Sequence, residues 1–222
     1  MLGIDILVDR SFWLLPAAFG LWIGYQAGFD AGIRMAVLIL GVFVCVLGHE
    51  LTHSVVAQRY GVRVPSITLY PMGGVASLLR IPKRPGQEFW IAIAGPLFNF
   101  ALAAALYYPL LSWLGAEVLF DPSLESWPKT LANLFWVNPI LGAFNLIPAF
   151  PMDGGRMLRS LLALKMSYLT ATRISVFLGR IFAILFFILG AWQHAWMLML
   201  VGMYVYFAAG REWRRAVWEE AT

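Results

Sequence analysis

Charge is scarce in this sequence. Only 13% of its 222 residues are charged while 61% are hydrophobic, against about a quarter charged in an ordinary soluble domain. That excludes a soluble domain and leaves an integral membrane protein. Cysteine is nearly absent too: Cys45 stands alone, which excludes an intramolecular disulfide and any zinc site built from cysteines. No internal repeat, low-complexity tract or soluble module is visible. The amino-terminal residues carry Asp5 and Asp9 against Arg10, a poor match to the basic start of a cleaved signal peptide. The net charge of +4 would suggest nucleic acid in a soluble protein. Here the basic residues follow a membrane pattern instead, so no nucleic-acid partner is expected.

What the chain does have is long apolar runs. Segments 11–28, 33–60, 87–114, 130–147, 174–192 and 195–209 read as about six transmembrane helices, the last on the short side. The expected fold class is therefore an all-α polytopic membrane protein. One stretch departs from the helical pattern. Residues 61–84, GVRVPSITLYPMGGVASLLRIPKR, combine β-branched residues with two prolines ahead of Gly73-Gly74, which predicts short strands around a glycine turn. Ile67, Leu69, Tyr70, Met72, Val75, Leu78 and Leu79 make it too apolar for a solvated linker, so a membrane-associated hairpin packed on protein is expected. Residues 1–210 read as one membrane core domain and residues 211–222 as a charged cytoplasmic tail with an interfacial helix around Trp213 and Trp218.

Counting Lys and Arg in alternate connections orients the six spans. Arg10, Arg59, Arg63, Arg80, Lys83, Arg84, Arg156, Arg159, Lys165, Arg173, Arg211, Arg214 and Arg215 fall on one side, Arg34 and Lys129 on the other, and Arg180 within the fifth span. The positive-inside rule then places both termini and the strand-like loop in the cytoplasm of a multi-pass cell-membrane protein.

The second apolar run ends in Gly48-His49-Glu50-Leu51-Thr52-His53. Positions four apart share one helix face, about 6 Å apart along the axis, so His49 and His53 can face one ion with Glu50 beside it. This is the HExxH arrangement, in which two neutral histidines hold Zn2+ and the glutamate takes a proton from water. A helix-helix polar contact is the competing reading, but ionisable groups deep in a bilayer cost roughly 2.5 to 3.5 kcal/mol and mark function. Catalytic zinc needs a third protein ligand. Among the acids on the proper side, Asp153 follows an apolar span broken by Pro148 and Pro151 and precedes two glycines, which can carry a carboxylate back into the bundle. Its alternative role is an N-cap for the helix after it, expected from Arg156 to about Met166. Glu88, in a connection after Lys83-Arg84-Pro85, is poorly placed as a ligand.

On HELTH at 49–53, AGPLFN at 94–99 and FNLIPAFPMDGGR at 144–156, the chain resembles the site-2 intramembrane metalloproteases, in their bacterial and archaeal subgroup, with no CBS or PDZ module visible. The resemblance implies that His49, His53 and Asp153 bind one zinc, that Glu50 is the catalytic base, and that a transmembrane protein substrate is cut in regulated intramembrane proteolysis, with the bilayer and a membrane-bound regulatory factor as further partners. YPMGGV at 70–75 is similar to the family's glycine-containing loop, which makes Gly73 and Gly74 candidates for substrate contact. Asn145 and Asn99 are candidate oxyanion donors, or else they satisfy carbonyls freed near prolines. Two other classes compete: a zinc transporter with an intramembrane transit site, and an inactive relative that captures transmembrane partners.

Overall fold

The computed structural model describes residues 3–71, 73–76 and 84–221. Met72, Leu78, Leu79, Arg80 and Lys83, which entered the hairpin and orientation readings, lie outside the described residues. Helix dominates, as it must where no water is present to satisfy the backbone. The chain divides into two compact units, Met1–Arg80 with Ala94–Gly142 and Ile81–Ile93 with Ala143–Thr222.

In the first unit, strand β1 (Asp5–Val8) leads into a 3-10 turn (Arg10–Trp13) and helix α1 (Leu14–Ala27). Asp9 caps the turn by accepting from the Ser11 amide at 2.9 Å and from its hydroxyl; these two bonds hold the Asp9 carboxyl below the usual carboxylate range. Helix α2 (Phe29–Arg59) follows after Gly28. It carries Asp30 in its first turn and Arg59 in its last, both complementary to the helix dipole. Close approach of α1 and α2 depends on absent side chains: a β-carbon at Gly32 would stand 2.5 Å from the Gly20 carbonyl oxygen and 2.9 Å from Gly24 Cα.

Strands β2 (Ser66–Tyr70) and β3 (Gly73–Ala76) pair antiparallel, with Tyr70 opposite Gly73 and Ile67 opposite Ala76. β1 joins β2 in parallel, giving the order β1-β2-β3 with β3 at an edge. β1 was not expected, although Ile6, Leu7 and Val8 form a short run of strand-favouring residues. Phe12, Phe43 and Leu69 form a buried cluster that ties the 3-10 turn, α2 and β2 together.

The distal part of this unit contains the later turns of helix α3 (Pro85–Leu114), the short α4 (Ala116–Leu119) and most of α5 (Trp127–Asn145). Pro85 opens α3, where its missing N–H costs nothing, and the helix continues through Pro96 and Pro109. Ala103, Leu110, Leu119, Ala132 and Phe135 pack together, and the Trp136 indole donates to the Leu119 carbonyl at 2.8 Å. Lys129 donates to Asp121 at 2.6 Å and to Glu125 at 2.8 Å, and these two acids push its pKa up to about 12.

The second unit holds α6 (Asp153–Leu162), α7 (Tyr168–Trp192) and α8 (Trp196–Ala221). Ala149, Met152, Ala183 and Val205 form its core, and Phe150 packs with Val176 and Ala209 against Trp213. Helix α6 starts at Asp153 rather than Arg156, and Met152 occupies the N-cap position, which corrects the capping alternative for Asp153. Helix α8 runs unbroken to Ala221, so the described part of the expected tail, residues 211–221, continues α8 rather than forming a separate helix. Trp213, packed on the Phe150 cluster, gives the charged turns an apolar anchor.

Among the described residues, three helices are long and apolar enough to cross a membrane, α2, α3 and α7. The other three expected spans are helical but shorter or more polar. α1 has 14 residues, and the apolar run of α8 ends at Arg211.

Arg159 fixes α6 within its unit. Its Nε donates to Glu88 Oε1 at 2.9 Å and its Nη2 to the same oxygen, and both side chains are almost fully buried, at 2% and 1% exposure. The guanidinium also lies 4.7 Å from the centres of the Phe150 and Tyr168 rings, so it is stacked as well as paired. Breaking such a pair from one side leaves a buried charge alone. Arg159→Met is therefore expected to lower stability by about 3 to 5 kcal/mol in thermal or denaturant unfolding of the detergent-solubilised protein, and the double change Arg159→Met/Glu88→Leu to recover most of that loss. Equal losses in the single and double variants would contradict the clamp.

Candidate metal centre

His49, Glu50 and His53 lie in the last turns of α2, and both histidines are buried. The helical period brings their rings together, with centroids 4.6 Å apart, planes at 81° and Nε2 atoms 3.0 Å apart. Two imidazole nitrogens on a tetrahedral zinc are roughly 3.3 Å apart. The pair is therefore already set at ligand spacing.

The second nitrogen of His49 decides its chemistry. Nδ1 lies 2.5 Å from Asn99 Oδ1, an acceptor, so Nδ1 carries the proton and Nε2, on the side of the ring that faces His53, is the nitrogen whose lone pair can ligate a metal. Asn99, on α3, is fully buried, and its own amide donates to Asn138 Oδ1 on α5 at 3.0 Å. Asn138 in turn donates to the Leu134 carbonyl at 3.2 Å and contacts Cys45 Sγ at 3.4 Å. A relay of two carboxamides thus holds one imidazole in one tautomer across three helices.

The clearance in front of the imidazoles comes from glycine. A β-carbon at Gly95 would collide with Nε2 of both histidines, and one at Gly48 would stand 2.5 Å from the Phe98 ring. The edge strand makes a third such contact: a β-carbon at Gly74 would lie 2.8 Å from Glu50 Cγ. Only a glycine there lets β3 lie directly on the Glu50 side chain.

Asp153 opens α6, is buried, and has Arg156 Nη1 3.8 Å from its Oδ1. Among the described residues, His49, His53 and Asp153 are the group of at least three metal-ligating side chains that could hold one ion, each offering one ligand atom within 4.8 Å of the others. Two neutral imidazoles and one carboxylate are a donor set suited to zinc.

The remaining candidates fall in different places. Asn99 is engaged at both ends of its carboxamide, which makes it a support for His49 rather than a free oxyanion donor. Asn145 is the last residue of α5 and half-buried. Gly73 adopts φ 130°, a conformation that favours glycine, at the start of β3. Two contributors escaped sequence reasoning. Gly95 stood only as one residue of the AGPLFN stretch, and Asn138 carried no signal beyond being a polar residue in an apolar run.

A buried pair of imidazoles and a carboxylate, on a helix long enough to cross a bilayer, defines a membrane metalloprotein of HExxH type. The sequence profile of peptidase family M50 matches residues 37–126 and 118–189. A zinc metalloprotease of Methanocaldococcus jannaschii is 40% identical over 215 residues, covering 96% of this chain and 59% of the relative. Stage IV sporulation protein FB of Bacillus subtilis is 30% identical over 175 residues, 78% of this chain and 54% of that protein. The solved structure of a site-2 protease from M. jannaschii superposes with a TM-score of 0.72 at 38% identity, covering 96% of this chain and 92% of that one. The chain belongs to peptidase family M50, the site-2 protease family. It spans little more than half the length of these two curated relatives.

Asn99→Ala is expected to weaken zinc affinity by about 10- to 100-fold, measured by competition with a zinc chelator, because His49 loses the group that fixes its tautomer. Gly95→Ala is expected to lower zinc occupancy by filling the space before both Nε2 atoms. Unchanged zinc content in both variants would contradict the geometry described.

Proposed function

We propose that this chain is the catalytic core of an intramembrane zinc metalloprotease that hydrolyses peptide bonds within or near transmembrane segments of other membrane proteins. The observation that carries this reading is the contact of Gly74 with Glu50, which sets an edge strand directly over a carboxylate adjacent to the imidazole pair. A store or conduit for metal needs no such strand.

Zinc, when bound, would polarise the scissile carbonyl and make water at the site acidic enough to react near neutral pH. His49, His53 and Asp153 are the residues proposed to hold it. Glu50 accepts the proton of the attacking water and returns it to the departing amine. Asn99, itself held by Asn138, keeps the His49 ring oriented throughout.

Substrate recognition follows from the physics of a helical peptide bond, whose carbonyl is already hydrogen-bonded and shielded. The bond must be unwound before attack. An unwound segment can add to the edge of β3 that pairs with no strand among the described residues, replacing lost helical bonds with sheet bonds. Gly73 and Gly74 then allow its backbone to approach Glu50. Asn145 remains a proposed oxyanion donor.

α1, α5 and α8 are proposed to complete six spans, with both termini and the β-sheet at the cytoplasmic face, a reading supported by the distribution of Lys and Arg in the sequence. At about 1.5 Å per residue for the 14 residues of α1 and about 2.0 Å for the four of the preceding 3-10 turn, the two cover roughly 29 Å, close to a typical hydrocarbon core of about 30 Å.

Glu50→Gln is expected to retain zinc while losing at least about 10²-fold in cleavage of a single-span substrate reconstituted with the enzyme. Asp153→Ala is expected to lose both zinc and cleavage. Val75→Pro, which removes a backbone donor from β3, is expected to lower kcat/KM about tenfold with zinc unchanged. Proteolysis undiminished in Glu50→Gln would overturn the assignment of the base.

A further inference from the structure

Helices α7 and α8 enclose a second feature, remote in sequence from HELTH and carrying no part of the proposed reaction. Arg173, Val176, Phe177 and Arg180 follow one another at helical spacing along one face of α7. With Trp213 of α8 they line a groove of about 330 Å³. A third arginine borders it: Arg180 Nη2 and Arg214 Nη1 each lie 3.7 Å from the point where a β-carbon would stand at Gly210. Two guanidinium groups are thus drawn against the same glycine.

No carboxylate of the described residues lies within 4.0 Å of Arg173, Arg180 or Arg214. The contact that Arg180 does make is with an uncharged ring, Tyr206, at 5.4 Å. Like charges gathered without a counter-charge repel one another, and most strongly where water is scarce. An arginine on a helix apolar enough to cross a membrane adds a desolvation cost. An anion resolves both problems, and guanidinium groups match phosphate oxygens in two-point hydrogen bonding.

The surroundings say which kind of anion. Val176 and Phe177 give the groove an apolar wall, and Phe177 stands 63% exposed. Further along α7, Ile181, Ile184 and Ile188 continue an exposed apolar track. A charged rim opening onto an apolar track fits an amphiphile whose headgroup is negative. A small soluble anion would use the rim alone.

We propose that this groove is a binding site for one anionic glycerophospholipid, with its phosphate held by Arg173, Arg180 and Arg214 and an acyl chain laid along Phe177 and the isoleucines of α7. Basic pockets between membrane helices have the right chemistry for such headgroups. The proposal stands whether or not the chain is a protease, because its evidence and its readout are lipid binding.

The test is native mass spectrometry of the full, detergent-solubilised chain titrated with phosphatidylglycerol or phosphatidylcholine. The parent chain is expected to retain one phosphatidylglycerol in preference to phosphatidylcholine. Each arginine contributes about fivefold, so Arg173→Gln/Arg180→Gln should weaken phosphatidylglycerol binding on the order of twentyfold, and the exposed control Arg63→Gln should leave it unchanged. Should the double variant fail to fold, Arg173→Gln alone, at the exposed end of the groove, should still show its fivefold loss. Equal binding of the two lipids, or a preference that survives the arginine changes, overturns the proposal. Displacement of bound phosphatidylglycerol by millimolar inorganic phosphate also overturns it, in favour of a soluble anion.

Discussion

The hydrogen bond from His49 to Asn99 is the interaction on which the proposed metal centre rests. An imidazole surrounded by apolar helix can hold its proton on either nitrogen, and only one choice leaves a lone pair toward the ion. Asn99 makes that choice by accepting from Nδ1, and it can do so only because its own amide is satisfied by Asn138, whose amide reaches the Leu134 carbonyl. Each member is buried, so each would be costly if left unpaired. A polar chain of this kind fixes α2, α3 and α5 to one another in a setting where apolar packing alone, with lipid as competitor, discriminates weakly.

Absent side chains do the complementary work. Gly95 leaves the space before both imidazoles, Gly74 lets a strand touch Glu50, and Gly32 lets α1 meet α2. In each case the distances leave no room for a β-carbon, so the backbone itself is the contacting surface. Two modes of organisation therefore coexist in the first unit: satisfied polar groups that orient, and glycines that admit backbone. The second unit relies on a different device. Its buried Arg159 is paired with Glu88 and stacked between Phe150 and Tyr168, a cage that fixes the helix whose first residue is Asp153.

Much of this was legible in the sequence. The HExxH spacing dictates a common helix face, and the apolar runs dictate helices, because both follow from local periodicity. The strands after α2 could be read from β-branched residues around Gly73-Gly74. What could not be read depends on long-range partners. β1 is a strand because β2 accepts it in parallel, and the short apolar run Ile6-Leu7-Val8 does not by itself signal that pairing. Asn99 looked like an oxyanion donor because its partner Asn138 is 39 residues away. The charged end of α8 looked like a detached tail, yet Trp213 finds the Phe150 cluster and the helix continues.

The central claim is that His49, His53 and Asp153 hold a single zinc ion. Zinc-edge X-ray absorption spectroscopy of the purified full chain tests it most directly. The account predicts one zinc per chain with two imidazole nitrogens and carboxylate oxygen at about 2.0 to 2.2 Å and no sulfur. A single imidazole, a sulfur scatterer, or protein that folds yet takes up no zinc would contradict it.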